Sequence, residues 1–447
     1  MNDTIVAIST ALGEGAISII RVSGDDAINI VNNIFKGKDL SKVSSHTINY
    51  GHIIYNDEII DEVLVSVMRS PKTYTKEDVI EINTHGSIAV VNKIMEILLL
   101  SGCRLAEPGE FTKRAFLNGR IDLTEAEGVM DLINSETELT RKMAVNELSG
   151  KVSKLITDLR EKIVALISNI EVNIDYPEYE DIEVVTIDKI KNQVQEMKKE
   201  LTNILKLSED GKILKDGIKT VILGKPNVGK SSLLNALLEE DKAIVTDVKG
   251  TTRDIVEGSI IVGGVKLNLI DTAGVRKSSD VVEKIGIEKS LKLIEEAELI
   301  LLVLDSSEEL TKEDKFLLDK TKDKKRIVIM NKDDLKNNNK YNEDVIRISA
   351  KTSQGIDLVK DKIKELFNVG SFLNKNLTFF TNVRQISLLK FAIESLEEVE
   401  CGVNEKREVD MIEIDLKLAW ERLGDIIGAN YTEELIDNLF SRFCLGK

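Results

Sequence analysis

Residues 220–238 read TVILGKPNVGKSSLLNALL, and the fold of the surrounding segment turns on them. An apolar, β-rich run from Thr220 to Leu223 gives way to Gly224-Lys225-Pro226-Asn227-Val228-Gly229-Lys230-Ser231, and Ser232 opens a helical run to Leu238. Gly-x4-Gly-Lys-Ser between a strand and a helix is a phosphate-binding loop: its glycines admit backbone N–H groups to phosphate oxygens at a helix N-terminus. Lys230 then supplies charge to the β and γ groups, and Ser231 offers a hydroxyl to Mg2+.

Working outward, Asp271-Thr272-Ala273-Gly274 follows a second apolar strand, Leu267 to Ile270. An aspartate there holds the metal shell, and the glycine brings an amide to the γ-phosphate. Between the two lies Thr246-Asp247-Val248-Lys249-Gly250-Thr251-Thr252, a switch stretch in which Thr252 is the second Mg2+ ligand. Asn331-Lys332-Asp333-Asp334 directly follows the apolar run Arg326 to Met330, and Ser349-Ala350-Lys351 follows Val345 to Ile348. A carboxylate at Asp334 accepts from both N1–H and the exocyclic amine of guanine, groups that adenine arranges differently. Each short motif is weak alone, and their order and spacing together select a magnesium-dependent GTP hydrolase. The position after Gly274, where a glutamine orients the attacking water in Ras-type enzymes, is Val275, so another group must do that work. Glu283 is the candidate, against the plainer reading of a solvated glutamate; Arg276 is a further candidate for phosphate or switch contacts.

The alternation of strand, glycine-bearing turn and helix from about 217 to 370 predicts a doubly wound α/β domain. Helical periodicity flanks it. Leu148, Val152, Leu155, Leu159, Ile163, Leu166 and Ile170 form one stripe, Thr124 and Glu127 have capping-box spacing, and a further helix is expected from Ile187 to Leu207. Periodicity returns over Arg384 to Glu400 and Ile412 to Phe440, with Asp175 to Glu183 as an acidic, proline-bearing break. Upstream, strands are predicted at Ala16–Val22, His52–Tyr55 and Val63–Met68, and a helix at Ser87–Ser101. The expected organisation is a mixed α+β domain (1–118), a helical domain in two parts (119–216 and 371–447), and a P-loop GTPase domain (217–370) inserted between those parts.

A length of 447 residues fits two or three domains at roughly 150 residues each. No apolar run is long enough to span a bilayer and no basic-then-apolar leader opens the sequence, so a soluble cytoplasmic protein is expected. Cys103, Cys401 and Cys444 are too scattered for a disulfide framework or a zinc site. The formal charge of −16 excludes a general nucleic-acid coat and confines any RNA contact to a local basic surface.

Three further pieces carry a resemblance: Arg21 in AISIIRVSG, the stretch EPGEFTKRAFLNGRIDLTEAEG from Glu107 to Gly128, and the final Phe443-Cys444-Leu445-Gly446-Lys447. With the inserted GTPase segment, the whole chain resembles the MnmE (TrmE) family of tRNA uridine-modification GTPases. That resemblance implies a homodimer joined through N-terminal domains that bind a one-carbon tetrahydrofolate, either 5-formyl or 5,10-methylene. It also implies a heterotetramer with the FAD-dependent partner MnmG, which places an aminomethyl or carboxymethylaminomethyl group on C5 of the wobble uridine of certain tRNAs. Asn227 is similar to the asparagine of potassium-activated GTPases, where K+ sits with switch-loop groups, here Thr246, Val248 and Thr251. Carried over by motif, Arg21, Glu81, Arg120 and Lys447 line the folate site. Many relatives have lysine where Arg120 stands, which keeps the charge and changes the hydrogen-bond geometry. Cys444 becomes part of a functional Cys-x-Gly-Lys ending; the competing reading as a prenylation site fails because Leu-Gly-Lys is a poor aliphatic sequence. Without the resemblance these positions read as ordinary surface or ion-paired residues. Two other classes compete. An Era-like ribosome-assembly switch would need an RNA-binding GXXG loop after the GTPase segment, and a dynamin-like remodeller would need a basic amphipathic helix; neither is visible.

Overall fold

A computed structural model describes residues 3–175, 187–240, 256–270, 285–339, 341, 343–373 and 378–447. It divides into two compact units, one of residues 1–130, 153–168 and 417–447, the other of 131–152 and 169–416.

In the first unit, strands β1 (Ile5–Ile8), β2 (Gly15–Ser23), β3 (Phe35–Lys36), β4 (Thr47–Tyr55), β5 (Glu58–Met68), β6 (Val79–Gly86) and β7 (Arg104–Leu105) form one sheet in the order β3-β4-β5-β6-β2-β1-β7. All neighbours are antiparallel except β1 and β7. The two-residue alternation of β5 buries Asp61, Val63, Val65 and Val67 and turns Glu62 and Leu64 to the other face. Helices Ala27–Ile34 and Ile88–Leu100 cover the apolar face, bringing Ile28, Val31, Val91, Ile94 and Leu98 into its core. The opposite face leaves Ile17, Ile48, Tyr50 and Leu64 exposed. Strand register sets Arg21 of β2 directly beside Glu81 of β6. Below them, the helix Glu110–Leu117 is anchored by Arg114, whose buried guanidinium holds Asp3 at 2.8 Å, Glu77 at 3.0 Å and Glu110 at 3.1 Å.

Several helical expectations need correction. The helix Leu123–Ile133 is capped by Asp122, not by Thr124 with Glu127: Asp122 Oδ1 accepts from the N–H of Thr124 (2.7 Å) and Glu125 (3.0 Å), and Glu125 accepts from the Asp122 N–H. A carboxylate outside the first turn is the better partner for orphan amides, so the box closes two residues earlier. The Ile412–Phe440 stretch is two helices, Val409–Ile427 and Glu433–Phe440. Gly428, at φ +79°, ends the first, and Thr432 caps the second by accepting from the Leu435 N–H. Leu148 also stands outside the stripe it was assigned to: it closes Glu138–Glu147, and the long helix runs Lys151–Asp175.

In the second unit the helix Ile187–Asp216 extends beyond its predicted end and lies antiparallel to Val383–Asn404, as the pairs Lys191–Asn404, Lys198–Glu400 and Glu209–Lys390 show. Strands β8 (Ile218–Leu223), β9 (Val256–Val262), β10 (Val265–Ile270), β11 (Leu299–Asp305), β12 (Arg326–Asn331) and β13 (Val345–Arg347) form a sheet in the order β13-β12-β11-β8-β10-β9, parallel except for β9. One face packs Ile222, Val303 and Ile329, the other Val221, Leu302 and Val328, so β8, β11 and β12 are apolar on both sides, as a covered parallel sheet requires. After β8 the chain adds strands first on one side and then on the other. The carboxyl end of β8 is therefore the crevice where doubly wound sheets bind ligands.

A buried polar cluster ties this sheet's flanks together. Thr381 donates its N–H and hydroxyl to Glu147 Oε1 at 3.1 and 2.6 Å, and Lys215 donates to Asp131 at 2.5 Å and to the Thr381 hydroxyl at 3.2 Å. Glu147 Oε2 has no hydrogen-bond partner. Burial and then the charge of Asp131 push the Glu147 carboxyl up to about 8, against 4.5 for a free side chain. Between those values the unfolded chain releases a proton that the folded one keeps, so stability is withdrawn as pH rises through this window and levels off above it. Glu147→Gln removes that linkage and keeps an acceptor for Thr381. Urea unfolding at pH 7.5 is expected to show the variant more stable by about 1–3 kcal/mol, with the gain vanishing below about pH 5. A difference that does not change with pH contradicts this assignment.

Candidate functional site

The phosphate loop leaves β8 at Gly224 and re-enters regular structure in the helix Lys230–Glu240. Two features shape the loop. Asn227 sits exposed on its outer arch at φ +64°, a left-handed conformation that asparagine tolerates better than most residues. Gly229 is at φ +96°, and a Cβ there would overlap the Asn331 side-chain amide, so only glycine lets the base strand approach. Lys230 lies across the loop, donating to the carbonyls of Gly224 at 2.7 Å and Lys225 at 2.9 Å. Burial draws its ammonium below the ordinary lysine range, and the charge of Glu313 offsets this in part. Lys225 fixes the loop's other shoulder by pairing with Glu308 at 2.7 Å.

Asn331 joins three of the separated motifs. Its Nδ2 donates to Val228 O in the phosphate loop at 2.8 Å, and its Oδ1 accepts from the Ala350 N–H at 2.9 Å. Asp334 accepts from the Ser349 hydroxyl at 2.7 Å, which orients one carboxylate oxygen. Ser349 and Ala350 are buried and Lys351 is exposed. The loop residues Asn227, Val228, Gly229, Lys230, Ser231 and Ser232 thus meet the base-side residues Asn331, Lys332, Asp334, Ser349 and Ala350 at the carboxyl end of the sheet. Thr246 to Thr252, Asp271 to Gly274, Val275, Arg276 and Glu283 lie outside the described residues.

The first unit gathers a second constellation. Arg21 Nε donates to Glu81 Oε1 at 2.9 Å, its Nη1 donates to Gly446 O at 3.2 Å, and the guanidinium lies 5.7 Å from the Phe111 ring centre. The final residues reach this point because Gly446, at φ +86°, packs where a Cβ would strike Ile8 O, while Gly109 N–H and Ser9 Oγ donate to Cys444 O and Gly446 O at 3.3 Å. Cys444 is exposed, and the Lys447 N–H turns back onto Cys444 O. Arg120 does not join Arg21 directly. It stands 4.8 Å over the Tyr74 ring, and Tyr74 packs on the cluster that contains Phe111.

Sequence reasoning missed Asp305, Gly446 as a backbone contact, and the aromatic pair Tyr74 and Phe111. A signal existed for Asp305: one aspartate ends LILLVLD, a strand buried at every position.

The family model for the TrmE N-terminus of GTP-binding proteins matches residues 4–120, and that for the MnmE helical domain matches 123–444. The tRNA modification GTPase MnmE of Streptococcus thermophilus is 55% identical across 100% of this chain and 98% of its own length. That of Streptococcus mutans is 52% identical across 100% and 99%. Among solved structures, the G domain of the T. maritima FeoB iron transporter matches 33% of this chain and 98% of its own at 29% identity with a TM-score of 0.23. Among the described residues no helix is long and apolar enough to cross a membrane.

Proposed function

Since the chain belongs to the MnmE family of tRNA modification GTPases and is a GTP hydrolase acting in tRNA modification, we propose that its task is GTP-driven modification of C5 of the wobble uridine, carried out with the FAD-dependent partner MnmG. The domain boundaries that serve this reading are 1–118, 119–216, 217–370 and 371–447. The observation that carries its GTPase part is the double hydrogen bond of Asn331, which ties the phosphate loop to the base-side loop. A nucleotide held at both ends needs that tie.

In the GTPase site, Lys230 neutralises phosphate charge and Asp334 reads the guanine edge, with Lys332, Ser349, Ala350 and Lys351 enclosing the base. Val228, Gly229, Lys230, Ser231 and Ser232 present the amides of a helix N-terminus to the phosphates. Ser231 and Thr252 are hard oxygen donors suited to Mg2+, and the Asp271 carboxylate would complete its shell. Asn227, Thr246, Val248 and Thr251 would hold K+, which supplies positive charge where the transferring phosphoryl group develops negative charge. Asp247, Lys249 and Gly250 complete the switch, and Glu283 orients water. The exposure of Asn227 supports its role, since its side-chain oxygen is accessible to an ion.

In the first unit, the Arg21–Glu81 pair beside the Gly446 turn sets guanidinium donors and a carboxylate acceptor side by side, a combination that suits the carbonyl and N–H edge of the pterin of a one-carbon tetrahydrofolate. Arg120 and Lys447 add cations at its rim, and Cys444 adds a thiol. The exposed apolar face of Ile17, Ile48, Tyr50 and Leu64 supports homodimerisation through this domain in a cytoplasmic complex. Mass spectrometry of nucleosides from cells lacking this chain is expected to show the C5-modified wobble uridine gone and restored by the intact gene. Unchanged nucleosides would overturn the reading.

A further inference from the structure

Asp305 closes β11 at the carboxyl end of the sheet, register-paired with Asn331. It is nearly fully buried. Its Oδ2 takes the Lys332 ammonium at 2.6 Å, while its Oδ1 accepts the N–H and hydroxyl of Ser307 at 2.9 and 2.6 Å. Burial opposes ionisation, but the donors of Lys332 and Ser307 outweigh it and hold the carboxyl below the usual range. The backbone oxygen of Asp305 accepts from Asn339 at 3.1 Å, so the aspartate is fixed from both ends.

Lys332 is a left-handed residue, φ +64°, between Asn331 and the Asp334 carboxylate. Without a tether, a lysine on such a turn would sample many rotamers and lose them on binding, at a cost in affinity. Tethered at its tip, its four-carbon stem becomes a fixed apolar strip near the Asp334 carboxylate, with the flatness and polarity that suit the face of a purine ring. We propose that Asp305 is a positioning residue for the guanine base, acting only through Lys332, and that it sets affinity for GTP and GDP alike without entering hydrolysis.

This rests on the guanine-site reading given above, and the test separates the two. Binding of fluorescent GDP, with displacement by GTP and GDP, is measured on the full chain for Asp305→Asn, Lys332→Met and the double variant, alongside thermal melting and saturated GTP turnover. Asp305→Asn is expected to weaken GTP and GDP equally, by about tenfold, with turnover at saturation unchanged. In the Lys332→Met background, Asp305→Asn should add nothing, because the interaction it removes is already gone. Additive losses, or a loss of turnover at saturation, would overturn the proposal, since a merely structural aspartate acts with or without Lys332. If the unaltered chain binds no guanine nucleotide, the site reading itself fails; if it binds and Asp305→Asn binds equally well, only this inference fails. Should Asp305→Asn not fold, Ser307→Ala carries the same test. It removes one hydroxyl from Asp305, and a loss of roughly two- to threefold should disappear in the Lys332→Met background.

Discussion

Replacing Asp334 by Asn is expected to weaken GTP and GDP binding by about a thousandfold and to transfer the site's preference to xanthine nucleotides. The cause is a mismatch of donors. The carboxylate accepts from N1–H and the exocyclic amine of guanine, while an asparagine in the same place directs an N–H at a donor. Xanthine carries a carbonyl in place of that amine and can accept from the new amide. The backbone should not move, because Asp334 is held locally by the Ser349 hydroxyl and Asn331 holds the loop independently. Competition by GTP and by xanthosine triphosphate against a fluorescent nucleotide measures both changes. GTP affinity within twofold of the original would remove Asp334 from the base site.

The second large effect concerns the cation. With valine at 275, hydrolysis lacks the water-orienting side chain of Ras-type enzymes, so transition-state charge has to be met by other means. Turnover of saturating GTP in KCl is expected to exceed that in NaCl at equal ionic strength by at least about tenfold, a fraction of the roughly 10³ to 10⁵ that an arginine finger contributes. Asn227→Ala should abolish the difference while leaving GDP affinity close to its original value, because Asn227 lies on the exposed arch and Asn331 bonds to Val228 instead. Equal turnover in the two salts would discard the cation site, and a variant that lost GDP binding would make Asn227 a nucleotide ligand.

The GTPase fold was legible because its motifs are local: each lies within a few residues of a strand end, and the apolar runs of β8, β11 and β12 announce a sheet covered on both faces. What escaped were contacts between segments far apart in sequence. Asp305 and Lys332 are separated by 27 positions and meet only because β11 and β12 pair in parallel. The turn at Gly446 reaches Arg21 across 425 positions, and its reason is a close backbone approach to Ile8 that no periodicity records. The helix break at Gly428 was hidden by apolar spacing that continues through it: periodicity reports which face is buried, and one left-handed glycine redirects the chain without disturbing that spacing. The cap at Asp122 shows the same limit on a smaller scale, since two capping pairs fit the sequence and only hydrogen-bond geometry selects one.

The most direct measurement of the central claim, that one rigid cradle holds a guanine nucleotide by both its phosphates and its base, is a competition titration of the unaltered full chain with GDP and with ADP in the presence of Mg2+. The account predicts that GDP displaces a fluorescent nucleotide at concentrations about a thousandfold below those at which ADP does. Equal displacement by the two would show that Asp334 and its neighbours do not read the base, and would contradict the account.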